Sequence, residues 1–255
     1  MLGVVRRMTD WNLNPEYASG PSAQAFASLE AVFALQGQHI TRDPLSEVLR
    51  VQVGERRYYV KRYHGSGKHL RRFIGRPRVL SEWRNLLLFR AWGIPVATVV
   101  GYGLERRGGR FHRGALITEE LRNTVDLAAL ARSGDARLQD RRWVERVIRQ
   151  LARATYLMHA RRFAHNDLKW RNILVEGGPW PHIHLIDCPG GTFWWGPFLQ
   201  RRIIKDLACL DKVARYQLSR TQRLRFYLLY RGHSRLTGQD RRQVRRILGY
   251  FEGRE

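Results

Sequence analysis

The chain has 255 residues, 44% of them hydrophobic, which suffices for one large domain or two small lobes around a buried core and excludes disorder. Its 46 Lys and Arg against 22 Asp and Glu give a formal net charge of +24, a field that attracts anionic partners without saying which. No apolar run reaches the roughly 18 to 20 residues that span a bilayer. The two cysteines, Cys188 and Cys209, are too few for a disulfide framework, so they read as reduced residues of a cytoplasmic protein.

The first thirty or so residues show no clear period, lack the apolar core of a secretory signal, and leave Ala23 to Leu35 open between helix and strand. From Leu45 the alternation of Leu49, Val51 and Val53 predicts a strand, Gly54-Glu55 a turn, and Tyr58 to Tyr63 a returning strand. Period two places Tyr59, Lys61 and Tyr63 on one face, so Lys61 needs an anion opposite it. A basic connector follows with Lys68, Arg71, Arg72, Arg76 and Arg78, then a helix from Leu80 to Phe89 that carries Glu82 early and stops at Gly93-Ile94-Pro95. The kinase arrangement, which pairs a strand lysine with a glutamate on the next helix, makes Glu82 the partner of Lys61, against the plainer reading of an acid that complements the helix dipole.

Two strands flank Arg106-Arg107-Gly108-Gly109, and the second runs from Ala115 into the acids before Leu121, where a boundary between lobes is expected. Val144, Val147, Ile148, Leu151, Thr155 and Met158 form one stripe of a long helix that delivers the chain to His165. His159 and His165 lack a third ligand at a spacing suited to a metal, so they read as supports of the loop. Beyond lie a strand from Asn172 to Val175, a turn at Gly177-Gly178-Pro179, and the apolar run His184 to Ile186 that ends at Asp187. After Cys188-Pro189-Gly190-Gly191-Thr192, where the glycines permit a mobile loop, come the aromatic run Phe193-Trp194-Trp195 and the basic stretch Arg201 to Lys205. Helices over Thr221 to Tyr230 and Thr237 to Phe251 close the chain, the latter with a Thr237/Asp240 cap.

The feature that carries chemistry is His165-Asn166-Asp167-Leu168-Lys169-Trp170-Arg171-Asn172, followed by Asp187 at the end of its strand. Phosphoryl transfer asks for a carboxylate that orients the attacking hydroxyl and for oxygen ligands that hold magnesium on phosphates. Asp167 can supply the first, and Asn172 and Asp187 the second. The interval from Asp167 to Asn172 matches the kinase catalytic loop, although Asn166 stands where protein kinases usually carry Arg. Only five of the cations are lysine, Lys61, Lys68, Lys169, Lys205 and Lys212. A chain so biased toward Arg keeps Lys where a compact charge matters, and Lys61 and Lys169 both stand at positions that the kinase template assigns to phosphate contacts. No zinc-finger spacing, RNA-recognition motif or heptad-bearing basic region occurs, so no specific nucleic-acid partner is expected.

Together, Lys61, Glu82, the His165 to Asn172 loop and Asp187 resemble the protein-kinase-like superfamily from about Gln36 onward. Asp187-Cys188-Pro189-Gly190 in place of Asp-Phe-Gly, the absence of Ala-Pro-Glu, the short interval to Lys205-Asp206-Leu207-Ala208 and the basic connector look most like the lipopolysaccharide kinase (Kdo/WaaP) family.

The resemblance implies an α+β, bilobal protein-kinase-like fold in a single domain over 1–255. Residues 31–119 would form a small lobe of antiparallel sheet with one main helix, and 120–255 a mostly helical lobe. It implies Mg2+ and ATP in the cleft, with Lys61 and Glu82 on the phosphates, backbone groups of Glu119 and Leu121 on the adenine edge, and Asn172 and Asp187 on the metal. Asp167 would act on the acceptor hydroxyl, Lys169 would neutralise the γ-phosphoryl group, and a buried Asp206 would brace the loop. The acceptor would be a core sugar of lipopolysaccharide or another acidic glycolipid at the cytosolic face of a bacterial inner membrane, whose anionic surface is a second expected partner. An atypical serine/threonine protein kinase is the alternative. One departure is the absence of Gly-x-Gly-x-x-Gly before Lys61; strand-turn-strand backbone over Gln36 to Arg42 is the expected substitute.

Overall fold

The computed structural model describes residues 7–65 and 76–253, which group into two compact units. The first takes the chain up to Leu87 together with Ala97–Leu121; the second takes Leu88–Val96 and the chain from Arg122 onward. Among the connector cations, Lys68, Arg71 and Arg72 lie outside the described residues.

The first unit is built on a sheet of six strands, all antiparallel, in the order β1-β5-β6-β4-β3-β2. Strand β1 (Arg7–Leu13) leads through two six-residue helices, α1 (Gly20–Ala25) and α2 (Leu29–Ala34), into β2 (Gln38–Asp43), β3 (Ser46–Val53) and β4 (Arg56–Tyr63). Helix α3 (Arg78–Ala91) follows, then the hairpin of β5 (Val99–Arg107) and β6 (Arg110–Glu119). Gly108 and Gly109 both have positive φ, 57° and 78°, as a two-residue turn matched to the twist of its strands requires.

Tyr58 and Val60 of β4 pack with Phe26, Leu29, Val32, Leu49 and Ile117 under α1 and α2, and Lys61 points to the other face, toward Glu82 of α3. Arg62 lies on the apolar face yet is only 7% exposed. Its guanidinium donates to the carbonyls of Val32 at 2.8 Å and Leu35 at 2.6 Å, satisfying the end of α2 that would otherwise be buried without partners.

The residues before Gln36, left unassigned by the sequence, belong to this unit. Strand β1 pairs with β5 over its whole length, and Gly103 allows the approach, since a Cβ there would lie 2.1 Å from the Asp10 carbonyl oxygen. The expected strand-turn-strand over Gln36 to Arg42 is instead mostly strand β2. The turn comes later, where Asp43 Oδ1 accepts from the backbone N–H of Leu45 and Ser46 at 2.7 and 3.0 Å.

The second unit begins with β7 (Thr124–Asp126), α4 (Leu127–Ser133) and the long α5 (Arg141–Ala160), whose N-terminus is capped by Asp140. Strands β8 (Phe163–Ala164), β9 (Ile173–Glu176), β10 (Ile183–Leu185) and β11 (Thr192–Phe193) surround the candidate loop. Sheets β10-β9-β7 and β11-β8 hold it between them in the chain. Three helices finish the unit: α6 (Gly196–Gln217), α7 (Arg220–Arg231) and α8 (Gly238–Leu248). The stripe expected on α5 is buried throughout and meets Phe163, Leu168, Trp170, Ile173 and Leu185 in the largest core. Helix α6 has no counterpart among the expected elements. Among the described residues no helix is long and apolar enough to cross a membrane.

Candidate active site

In the first unit, Lys61 Nζ donates to both carboxylate oxygens of Glu82, at 2.9 and 3.2 Å, and the Tyr63 hydroxyl donates to the same carboxylate. Glu82 is buried, and the Lys61 side chain keeps 15% of its surface. The period of β4 and the placement of Glu82 on the second turn of α3 make this contact. At the end of β6 the Glu119 N–H donates to Thr98 O at 2.9 Å and the Glu120 N–H to Arg57 O at 2.9 Å. The Glu119 carboxylate accepts from the Tyr17 hydroxyl and lies 3.6 Å from Arg56. Leu121 is half-buried and is the last residue of the unit.

In the second unit, the Asp167 carboxylate meets Lys169 Nζ at 2.5 Å, Arg171 Nη2 at 3.3 Å and Asn172 Nδ2 at 3.2 Å. The Asn172 amide also donates to the Asp167 carbonyl at 2.8 Å, and its backbone N–H to Lys169 O at 2.9 Å, which closes the loop on itself. Partial burial would raise the Asp167 carboxyl; the hydrogen bond and charge of Lys169, with Arg171 and Asn172, outweigh it and hold the group below its ordinary value. Asp167 is therefore ionised across the physiological range. Ile186 N–H donates to Asn172 O at 3.0 Å, fixing the approach to Asp187.

The loop is braced from beneath. Asp206 on α6 is fully buried; its Oδ2 accepts from the His165 backbone N–H at 2.7 Å and lies 3.5 Å from His159 Nε2. The other nitrogen of His159 pairs with the Tyr230 hydroxyl at 2.9 Å, so this histidine serves the core. His165 is also fully buried and stacks on Phe89 with ring centroids 5.9 Å apart. Burial pushes its imidazole below the ordinary range, against the pull of Asp206, Asp167 and Asp187.

Two residues of the site, Asn166 and Asp187, adopt left-handed backbone, with φ of 66° and 58°. That conformation costs most side chains about 1–2 kcal/mol and is best tolerated by Asn and Asp. The Asn166 side chain donates from Nδ2 to Gly190 O at 2.7 Å, so the residue that departs from the protein-kinase pattern joins the loop to the segment after Asp187. The stretch read as a mobile glycine loop is thus tied down, by this bond and by the pairing of β11 with β8. Sequence reasoning missed the role of Asn166; its one signal was an amide at a position next to the Asp167 turn.

Asn172 and Asp187 offer a hard amide oxygen and a carboxylate, the donor types magnesium takes when most of its other ligands are phosphate and water. Among the described residues no group of three or more His, Cys, Asp or Glu could hold a metal by itself. The donor set therefore fits a cation that arrives on phosphates.

Three comparisons bear on this geometry. The lipopolysaccharide core heptose(I) kinase WaaP of Pseudomonas aeruginosa is 30% identical over 146 residues, covering 54% of this chain and 54% of that protein, so the match spans about half the length of that relative. A solved structure of WaaP in complex with acyl carrier protein superposes with a TM-score of 0.74 at 25% identity, over 95% of this chain and 96% of that one. The α+β, protein-kinase-like architecture expected from the sequence is the one found. The family model described as lipopolysaccharide kinase (Kdo/WaaP) matches residues 30–230. This chain belongs to the lipopolysaccharide kinase (Kdo/WaaP) family.

Proposed function

We propose that the protein transfers the γ-phosphoryl group of ATP to a hydroxyl of a lipopolysaccharide core sugar, Kdo or heptose. The two units are then the lobes of one kinase domain. The observation that carries the reading is the Asp167 carboxylate, kept ionised by Lys169 and Arg171 in a loop whose register hangs on buried Asp206. A carboxylate so held accepts the hydrogen bond of an acceptor hydroxyl and directs its lone pair, and positioning of this kind supplies most of the acceleration in phosphoryl transfer.

The remaining roles follow from charge and donor type. Lys61, held by Glu82, places a compact positive charge on the α/β-phosphates. The backbone groups of Glu119, whose own N–H already donates to Thr98 O, and of Leu121 would meet the adenine edge. Asn172 and Asp187 would hold magnesium, which when bound neutralises charge on the β- and γ-phosphates. Lys169 lies on Asp167 Oδ1 and would share its charge with the transferring group as the acceptor hydroxyl takes its place.

The acceptor class rests on the family and on the net charge of +24, which suits phosphorylated glycolipid and an anionic membrane surface. Only residues 188–195 separate Asp187 from α6, a segment too short to form the peptide-docking loop that a protein acceptor needs. Incubation with Mg-ATP and fractionated cell-envelope glycolipid, with the added phosphate located by mass spectrometry, tests the proposal. Phosphate on a core sugar is the expected result; efficient phosphorylation of a peptide with none on glycolipid overturns it.

A further inference from the structure

Helix α6 begins with two large aromatic residues turned outward. Trp195, its N-cap residue, is 62% exposed, and Phe198, one turn along, is 68% exposed. Both are among the most exposed large hydrophobic residues of the described chain, and they stand together. Phe198, Arg201, Arg202 and Lys205 follow one another at helical spacing along one stripe of α6, while Ile203, Ile204, Leu207 and Ala208 face the core. The Arg202 guanidinium lies 4.5 Å from the centroid of the Trp194 ring, and the Trp194 backbone N–H donates to Arg162 O at 2.8 Å, which brings exposed Arg162 to the same corner. No acidic residue occurs from Cys188 to Lys205.

We propose that Trp195, Phe198 and the Arg201–Arg202 pair dock this unit on an anionic phospholipid bilayer, the rings entering the headgroup layer and the arginines pairing with lipid phosphates. The shape favours a bilayer over a folded protein. Two rings that project from a helix end find no rigid complement easily, but a fluid headgroup region closes around them, and indole is at home where apolar body and polar tip meet different surroundings. Arginine matches phosphate bidentately, and cations without neighbouring acids attract an anionic leaflet at short range.

The patch is bound to the chemistry by short links. It follows Asp187 directly, and its segment is fastened to the loop of Asp167 through Asn166 and Gly190 and through β11 on β8. Docking there would present the loop to an acceptor whose lipid part stays in the membrane. That consequence rests on the glycolipid reading above, whereas lipid binding itself does not.

The test is co-sedimentation of the full chain with vesicles of phosphatidylethanolamine and phosphatidylglycerol, compared with phosphatidylcholine alone. The wild type should bind the anionic vesicles and lose them steeply with salt. Trp195→Ala with Phe198→Ala should weaken partition about tenfold or more, and Arg201→Gln with Arg202→Gln about fivefold for each arginine. Trp180→Ala, which removes an aromatic ring 70% exposed in the turn between β9 and β10, should change nothing.

Equal binding by the patch variants, an equal loss in Trp180→Ala, or binding to an acidic soluble protein with none to vesicles overturns the proposal. Should the double aromatic variant fail to fold, quenching by brominated lipid decides. Quenching that is present in the wild type and reduced in Trp195→Phe supports insertion, and equal quenching in both overturns it. Phosphorylation of detergent-dispersed glycolipid should survive the loss of vesicle binding. Vesicle binding without any glycolipid phosphorylation would sink the functional reading and leave the patch standing.

Discussion

Replacing Asp206 separates loop bracing from chemistry, because this positioning residue makes one short buried hydrogen bond to the loop and touches no reacting atom. Asp206→Ala leaves the His165 N–H, now 2.7 Å from Oδ2, buried without an acceptor, and takes the carboxylate from His159. An orphaned buried donor costs about 1–3 kcal/mol, and about 2–3 kcal/mol is expected here. Asp206→Asn keeps an acceptor at the Oδ2 position. Oδ1, however, has no hydrogen-bond partner among the described residues, so an amide NH2 placed there finds no acceptor, and about 1–2 kcal/mol is expected. Urea unfolding with a shared slope measures both. At temperatures where each variant is folded, the Ala variant should also lose about 10²-fold in kcat, the scale on which misplacement by an ångström acts. The Asn variant should stay within about tenfold of wild type. If Asp206→Ala costs less than 1 kcal/mol, or if both variants lose equal activity at equal stability, the loop does not hang on this carboxylate.

Asp167→Asn should lower kcat by about 10² to 10⁴ while the KM for ATP changes little, measured by steady-state kinetics on the glycolipid acceptor; near wild-type turnover in a folded variant would end the proposed mechanism. Lys61→Arg should be damaging despite its retained charge, since a planar fork cannot occupy the point held by Glu82. Its combination with Glu82→Gln should lose much less than the sum of the single losses, and strict additivity in the kinetic cycle would contradict a shared role. Glu105 is fully buried among Arg7, Arg107 and Arg113. Burial would raise its carboxyl, but the hydrogen bonds from the three arginines hold it at about 2, below the ordinary carboxylate value of 4.5. A depressed folded value means that its stabilisation is complete above 4.5 and fades as pH falls toward 2. The melting-temperature gap between wild type and Glu105→Gln should therefore be constant from neutral pH to about 5 and close on acidification; a gap that widens on acidification would show that the arginines do not hold an ionised carboxylate.

The elements legible in the sequence are those whose cause is local. The stripe of α5 repeats at helical period behind the Asp140 cap, the hairpin of β5 and β6 turns on two glycines of positive φ, and α8 opens with the Thr237/Asp240 capping box. Strand β1 was hidden because most of its residues remain exposed; no burial pattern marks it, and only β5, far along the chain, makes it a strand. Helix α6 was hidden because it inverts the rule of apolar inside and polar outside at both ends of the scale: Asp206 is fully buried while Trp195 and Phe198 project into solvent. Arg62, buried on the core face of β4 by the carbonyls of α2, is a similar case.

The candidate site divides the same way. Residue types and short intervals named Asp167, Lys169, Asn172 and Asp187 as candidates, because phosphoryl transfer needs such groups in one loop and just beyond the pair of strands that follows it. The partnership of Lys61 with Glu82 needed only the period of a strand and the first turns of a helix. Tertiary structure alone decided what holds the loop in register, since Asp206 reaches His165 across 41 residues and Asn166 reaches Gly190 across 24. It also decided which aromatic residues face solvent. The physical reason is that periodicity reports which side of an element is apolar, whereas a buried hydrogen bond between distant residues leaves no period in either segment.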